Sequence, residues 1–204
     1  PLAKPVEGYQ LVVEPVGALA VAPYIDVEND DIPNEDSNDV QLDPYNLLEE
    51  DRFPGKDRLE DGIHASYGVR TGLHDYEGNY SEVFIGQAYR FAEDDNPFPQ
   101  GSGLSEQSSD VVGQISSVWH DDYMLNYRFQ LDNENLSSRR HEIDSYARHG
   151  RLEWSTRYLF AKALEGTSIT ESREQIENLM GYGLTKDWRL RAGAVNDLGV
   201  DPGE

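Results

Sequence analysis

Apolar and polar residues alternate along most of this chain with a period of two. From Ile63 to Leu73 one parity reads Ile63, Ala65, Tyr67, Val69, Thr71, Leu73, and the other reads His64, Ser66, Gly68, Arg70, Gly72. Successive side chains of a strand point to opposite faces, so this stretch is a two-faced strand. The pattern recurs with Tyr123, Leu125, Tyr127, Phe129 and Leu131 set against Asn126, Arg128 and Gln130, and again with Leu152, Trp154, Thr156, Tyr158 and Phe160 on one parity. Helical periodicity is scarce. Nine strands are predicted: about Tyr9–Ala22, Leu59–Leu73, Tyr80–Ala92, Ser109–Trp119, Tyr123–Asp132, Ser138–His149, Leu152–Ala163, Arg173–Thr185 and Trp188–Asn196. Pro15 interrupts the first, and the alternation is poor over Ser138–His149.

The links between these strands alternate in length. Those at 23–58, 93–108 and 164–172 are long, and 133–137 is intermediate; those at His74–Asn79, His120–Asp122, Gly150–Arg151 and Lys186–Asp187 are short. This rhythm describes an antiparallel meander with one elaborate end and one plain end, the shape of outer-membrane barrels. Most predicted strands reach ten residues or more. That exceeds the roughly five or six typical of globular sheets and meets the about 9–11 that a tilted strand needs to cross a bilayer. Trp119, Trp154, Trp188 and Tyr123 all stand beside short turns on the apolar parity, where an interfacial aromatic girdle would lie. A soluble sandwich would use the same parities, one toward a core and one toward water, so alternation alone leaves both architectures open.

Charge narrows the function. Seventeen Lys and Arg against 39 Asp and Glu give a net charge of -22, which argues against nucleic acid, whose phosphates need a basic footprint. There is no cysteine, hence no disulfide or thiolate chemistry. No apolar run approaches the about 18 residues of a transmembrane helix. A mean hydropathy of -0.69 is compatible with a barrel, because its lumen-facing residues are polar. Pro1 stands where an initiator Met would be, so the chain is expected to be mature, cut or a fragment.

Candidate chemistry is sparse. The five histidines, His64, His74, His120, His141 and His149, show no metal-binding spacing. Gly101-Ser102-Gly103 is too short for a nucleophile elbow. The acidic loop after Ala22 lacks the spacing of a calcium loop, and Asp121 and Asp122 suit a tight turn. No catalytic residue, cofactor or metal site is expected. Arg70, Arg90, Arg128, Arg157, Arg189 and Arg191, with Glu82 and Glu153, sit opposite the apolar parity of their strands. In a barrel they would face the lumen, where charges on neighbouring strands can pair. Arg52, Asp57, Arg58 and Glu60 cluster at the base of the longest loop, around the turn-forming Pro54-Gly55. These charges are expected to hold that loop over the lumen as a lid, and Arg52 or Arg58 could contact an anionic ligand directly.

Five stretches, in order, carry a resemblance: IPNEDS (Ile32–Ser37), DRFPGKDRLEDG (Asp51–Gly62), IGQAYR (Ile85–Arg90), PQGSGL (Pro99–Leu104) and SDVVG (Ser109–Gly113). They resemble the barrel domain of the LptD family of lipopolysaccharide-assembly proteins, also called organic solvent tolerance proteins, over roughly residues 9–197. The resemblance implies an all-β fold: an antiparallel up-and-down meander whose nine long strands form part of the wall of a large transmembrane β-barrel. It implies residence in the cell outer membrane of a Gram-negative bacterium and non-catalytic delivery of lipopolysaccharide to the outer leaflet. The implied partners are lipopolysaccharide, an LptE-type plug lipoprotein, the periplasmic Lpt bridge reached through an N-terminal periplasmic domain, and outer-membrane lipid, but no nucleic acid. Residues 1–204 are then expected to be one fragment of barrel wall that lacks the periplasmic domain and the lateral gate. The alternatives are another outer-membrane porin or uptake channel, and a soluble β-rich carbohydrate-binding or hydrolytic domain.

Overall fold

The computed structural model describes residues 1–23, 40–56, 58–91, 96–163 and 171–199. Ten strands form one open antiparallel sheet in strict chain order: β1 (Leu2–Val6), β2 (Tyr9–Ala22), β3 (Gly62–Asp75), β4 (Tyr80–Arg90), β5 (Val111–Trp119), β6 (Tyr123–Leu131), β7 (Ser138–His149), β8 (Leu152–Ala161), β9 (Arg173–Gly183) and β10 (Arg189–Asp197). All nine strands expected from the alternation are present. The tenth, β1, escaped it because five exposed residues containing Lys4 and Pro5 show no two-faced pattern. β1 pairs with Tyr9–Val13 of β2 and stops short of Pro15.

The two ends of the sheet differ as the link lengths require. Tight links join β1 to β2, β3 to β4, β5 to β6, β7 to β8 and β9 to β10 at one end. His120 and Asp121 hold the β5–β6 turn with φ of 53° and 52°, and Gly150 holds the next with φ of 62°. The long connections gather at the other end.

Cross-strand register settles which side chains share a face. Thr71, Val83, Ile115, Tyr127, Ile143, Tyr158 and Ile176 form one continuous row across six strand pairs. Toward the tight turns, Trp119, Tyr123, Ala147, Trp154 and Met180 form another on the same face. This apolar face is open: Val69, Ile85 and Trp154 are about half exposed and Val21 more so. It also explains the poor alternation of β7, which contributes His141 to this face. His141 Nδ1 lies 2.7 Å from the Tyr127 hydroxyl, and the Tyr158 hydroxyl donates to Glu174 at 2.9 Å, so these two ionisable groups each have a tyrosine partner.

The hydrophobic core sits on the opposite, polar face. It consists of Val40, Leu42, Leu47 and Phe53 from the β2–β3 connection, Phe98 and Leu104 from the β4–β5 connection, and Phe84, Ala88 and Val112 from the sheet. The two long loops fold back onto the sheet and bury this cluster, which burial drives at about 25 cal/mol per Å² of apolar surface. The face expected to be a hydrated lining is therefore packed dry over β3–β5.

Gly86 of β4 makes room for that packing. A Cβ there would collide with Leu47 of the loop and lie 2.9 Å from the Tyr67 carbonyl oxygen. Gly86→Val should loosen the loop by about 1–3 kcal/mol, the usual range for overpacking. The readout is tryptic cleavage after Arg52, which is buried and which the parent protein should resist.

Candidate functional site: a loop seated on the polar face

The β2–β3 connection folds locally before it docks. The Tyr45 amide donates to Asp43 Oδ1 at 2.7 Å and the Asp43 amide to Asn46 Oδ1 at 2.8 Å, an aspartate-initiated turn of the kind such side chains favour. Further on, Asp51 Oδ1 accepts from the amides of Phe53 (3.1 Å) and Glu60 (3.2 Å). That carboxylate closes the segment from 51 to 60 into a compact lobe.

The base of the lobe is a buried charge node. Arg52 donates to both oxygens of Glu60, with Nε to Oε2 at 2.7 Å, and the two side chains are 2% and 0% exposed. A planar guanidinium matches a carboxylate in this two-bond geometry. Glu60 Oε1 also lies 3.2 Å from His64 Nδ1 and 3.5 Å from Arg90 Nη1. Arg90 Nη2 also reaches the Asp61 carbonyl at 3.0 Å and its Oδ1 at 3.2 Å. Phe98 stacks on Phe53 at 4.7 Å between centroids, and the Arg52 guanidinium lies 5.5 Å above the Phe98 ring. Loop, strand β3, strand β4 and the β4–β5 connection thus meet at one carboxylate.

A second set of contacts holds the other end of the loop. Gln41 donates to Gln130 (3.1 Å) and accepts from Arg140 (3.0 Å). Arg128 reaches Asp43 at 3.3 Å, pairs with Glu142, and lies over the Tyr45 ring at 5.4 Å. The Leu42 amide donates to the Ser102 carbonyl at 2.9 Å, joining the two loops. Gln130, 1% exposed, donates to Asp110 at 2.9 Å. Burial pushes the Asp110 carboxyl above its ordinary range, and the Gln130 bond and nearby Arg139 offset part of that.

Beyond the loops the polar face is a ladder of charge. Arg157 bridges Asp144 (3.0 Å) and Glu177 (3.6 Å), its direct cross-strand neighbours. Arg189 reaches over β9 to Glu153 at 3.3 Å, above Gly181 and Gly183. Arg70 pairs with Glu14 at 3.4 Å. These pairs are exposed and contribute little each.

Of the residues singled out in the sequence, Arg52, Glu60 and Arg90 come together in the buried node, whereas Arg70, Arg128, Arg157 and Arg189 lie apart along the polar face. Arg191 is exposed and makes no ion pair among the described residues. Arg58 is half-buried and stands outside the node; Asp57 lies outside the described residues, as do Ile32–Ser37. Sequence reasoning missed Gln41, Asp43, Tyr45, Gln130 and Arg140. Their contacts join positions up to 99 residues apart, and no local spacing signals them.

A family model described as LptD, LPS transport system D, matches residues 1–188. The chain belongs to the LptD family. It is 24% identical over 194 residues to the LPS-assembly protein LptD of Aeromonas salmonicida, covering 91% of this chain and 24% of that protein. The Pseudomonas aeruginosa (strain LESB58) LPS-assembly protein LptD is 29% identical over 137 residues, 61% of this chain and 14% of that protein. The Histophilus somni protein of the same name is 24% identical over 216 residues, 96% and 27% respectively. The chain therefore spans about a quarter or less of the relatives it matches. LptD homologues are outer-membrane proteins of Gram-negative bacteria, and the chain is placed in that membrane. Lipid is the solvent that an exposed row of Val, Ile, Tyr and Phe on one sheet face requires.

Removing one partner from a buried ion pair leaves the other charge stranded, at about 3–5 kcal/mol. Arg52→Ala and Glu60→Ala should each lower stability by that amount in the full-length protein in detergent. Arg52→Met with Glu60→Leu should cost less than either, because Arg52 and Glu60 leave together and Arg90 keeps Asp61 at 3.2 Å. Denaturant midpoints of the three variants check this.

Proposed function

We propose that this chain is a section of the wall of a large outer-membrane barrel that delivers lipopolysaccharide to the outer leaflet, and that its first long loop is the lid of the lumen. On this reading residues 1–204 form one stretch of the barrel domain, the apolar face meets lipid, and the polar face lines the lumen. The long-loop end faces the exterior and the tight turns face the periplasm, as in other barrels of this type. An LptE-type lipoprotein in the lumen and a periplasmic Lpt bridge, reached through a domain ahead of this chain, are the partners the family implies.

The observation that carries the lid is the seat of the loop: a dry apolar cluster and a buried Arg52–Glu60–Arg90 node fix it to the polar face. A general pore keeps its mouth open, which disfavours the porin alternative. Passage of an amphipathic glycolipid needs a polar path for sugars, a lipid path for acyl chains and a closed state between transfers. The charge ladder from Arg128 to Arg189 supplies a hydrated wall, and the seated loop supplies closure. On this reading no covalent step is required.

Two measurements test this. Depleting the protein in its host should lower lipopolysaccharide at the cell surface; unchanged surface lipopolysaccharide would overturn the transport reading. Arg52→Ala should raise permeability to large antibiotics while assembled barrel persists on semi-native gels, and Arg58→Ala should not. Loss of assembled barrel in Arg52→Ala would assign the node to folding instead of closure.

A further inference from the structure

The two long connections that fold onto the polar face also hold each other. Joints at both ends of residues 40–53 link the β2–β3 connection to the β4–β5 connection. At one end the Leu42 amide donates to the Ser102 carbonyl at 2.9 Å. Beside it stands the Gln130 side chain of β6, which both connections share. Its Oε1 accepts from Gln41 at 3.1 Å, and its Nε2 donates to Asp110 at 2.9 Å and to the Ser102 carbonyl at 3.4 Å. At the other end Phe53 stacks on Phe98, and the Arg52 guanidinium lies over the same Phe98 ring.

These joints make partial release costly. Leu42 and Phe53 from the first connection and Phe98 and Leu104 from the second belong to one buried cluster. Lifting either connection alone exposes apolar surface on the one that stays, which water resists. It also strands polar groups. Ser102, fully buried, would lose the Leu42 amide, and Gln130 would lose its partners in the connection that left. A buried polar group left unmatched costs more than the bond contributed when made. With both connections seated these groups are paired, and with both released water reaches them. The half-released state carries the penalty in full.

Each connection is also shaped internally by an asparagine. Asn46 Oδ1 accepts from the Asp43 amide at 2.8 Å, and its Nδ2 donates to the Gln41 carbonyl at 2.9 Å. Asn96 Oδ1 accepts from the Phe98 amide at 3.0 Å, and its Nδ2 donates to the Leu104 carbonyl at 2.9 Å. These bonds stay within one connection, so each asparagine offers a way to disturb one partner and watch the other.

We propose that residues 40–53 and 96–104 are one cooperative body, which leaves the polar face as a unit or stays seated as a unit. Native structures open locally in contiguous cooperative units of this kind. The coupling follows from the contacts named above; that its release opens the barrel mouth rests on the lid reading given under the proposed function. On that reading the lid has two leaves, and the β4–β5 connection is the second.

Hydrogen exchange followed by mass spectrometry on the full-length protein in detergent tests this. In the parent, peptides spanning 40–53 and 96–104 should open with constants that agree to within about tenfold, and β8 peptides should exchange more slowly than both. Asn46→Ala and Asn96→Ala should each accelerate exchange in both segments by about tenfold, because coupling between two sites is reciprocal. Serine at the same position supplies the lesion where alanine prevents assembly of the barrel, and the comparison within the parent needs neither variant. The proposal is overturned if the two parent segments open with constants further apart than that, if β8 exchanges together with them, or if either lesion accelerates only its own segment. Failure of the lid reading would appear separately: both segments deprotected together in these variants, with permeability to large antibiotics unchanged.

Discussion

A strand in hydrocarbon has no water to satisfy its backbone, so each N–H and C=O must find another strand. That constraint organises everything else in this molecule. The ladder runs from β1 to β10 in chain order, every neighbour antiparallel, because tight turns can join only antiparallel strands.

Once one face of such a sheet is given to lipid, it cannot also bury a core. The aliphatic and aromatic rows that would form the interior of a soluble sandwich stay exposed here, and the packing problem passes to the other face. Two loops solve it locally. Val40, Leu42, Leu47 and Phe53 cover Phe84, Ala88 and Val112, and the charge that accompanies them is neutralised by pairing: Glu60 faces Arg52 and Arg90 and cannot reach water. Such pairs add little net stability but are intolerant of losing one member. A loop seated this way is held in a defined position by geometry more than by excess free energy.

The polar face consequently has two halves with different physics. Over β3–β5 it is dry, packed and specific. Over β7–β10 it is wet and charged, with Arg157 and Arg189 making exposed pairs that water and salt screen. A register shift at Gln130 and Leu131 makes Arg139 the extra residue of a β7 bulge near the boundary, and its guanidinium pairs with Asp132 and approaches Asp110 at 4.0 Å.

Period-two alternation was enough to place nine strands, the link rhythm was enough to give an antiparallel meander, and the aromatic residues beside tight turns were legible as a rim. These features are local: a strand's faces follow from the sequence of that strand alone. Arg52 and Glu60 were legible as a cluster because they lie eight residues apart around a Pro-Gly turn. Tertiary structure alone decided that Arg90 and His64 join them, that Gln41 and Arg140 meet across 99 residues, that Arg139 meets Asp132 and Asp110, and that the polar face carries a core. Those outcomes depend on which loop folds over which strand and on a one-residue shift in register, and neither leaves a periodic trace in the chain.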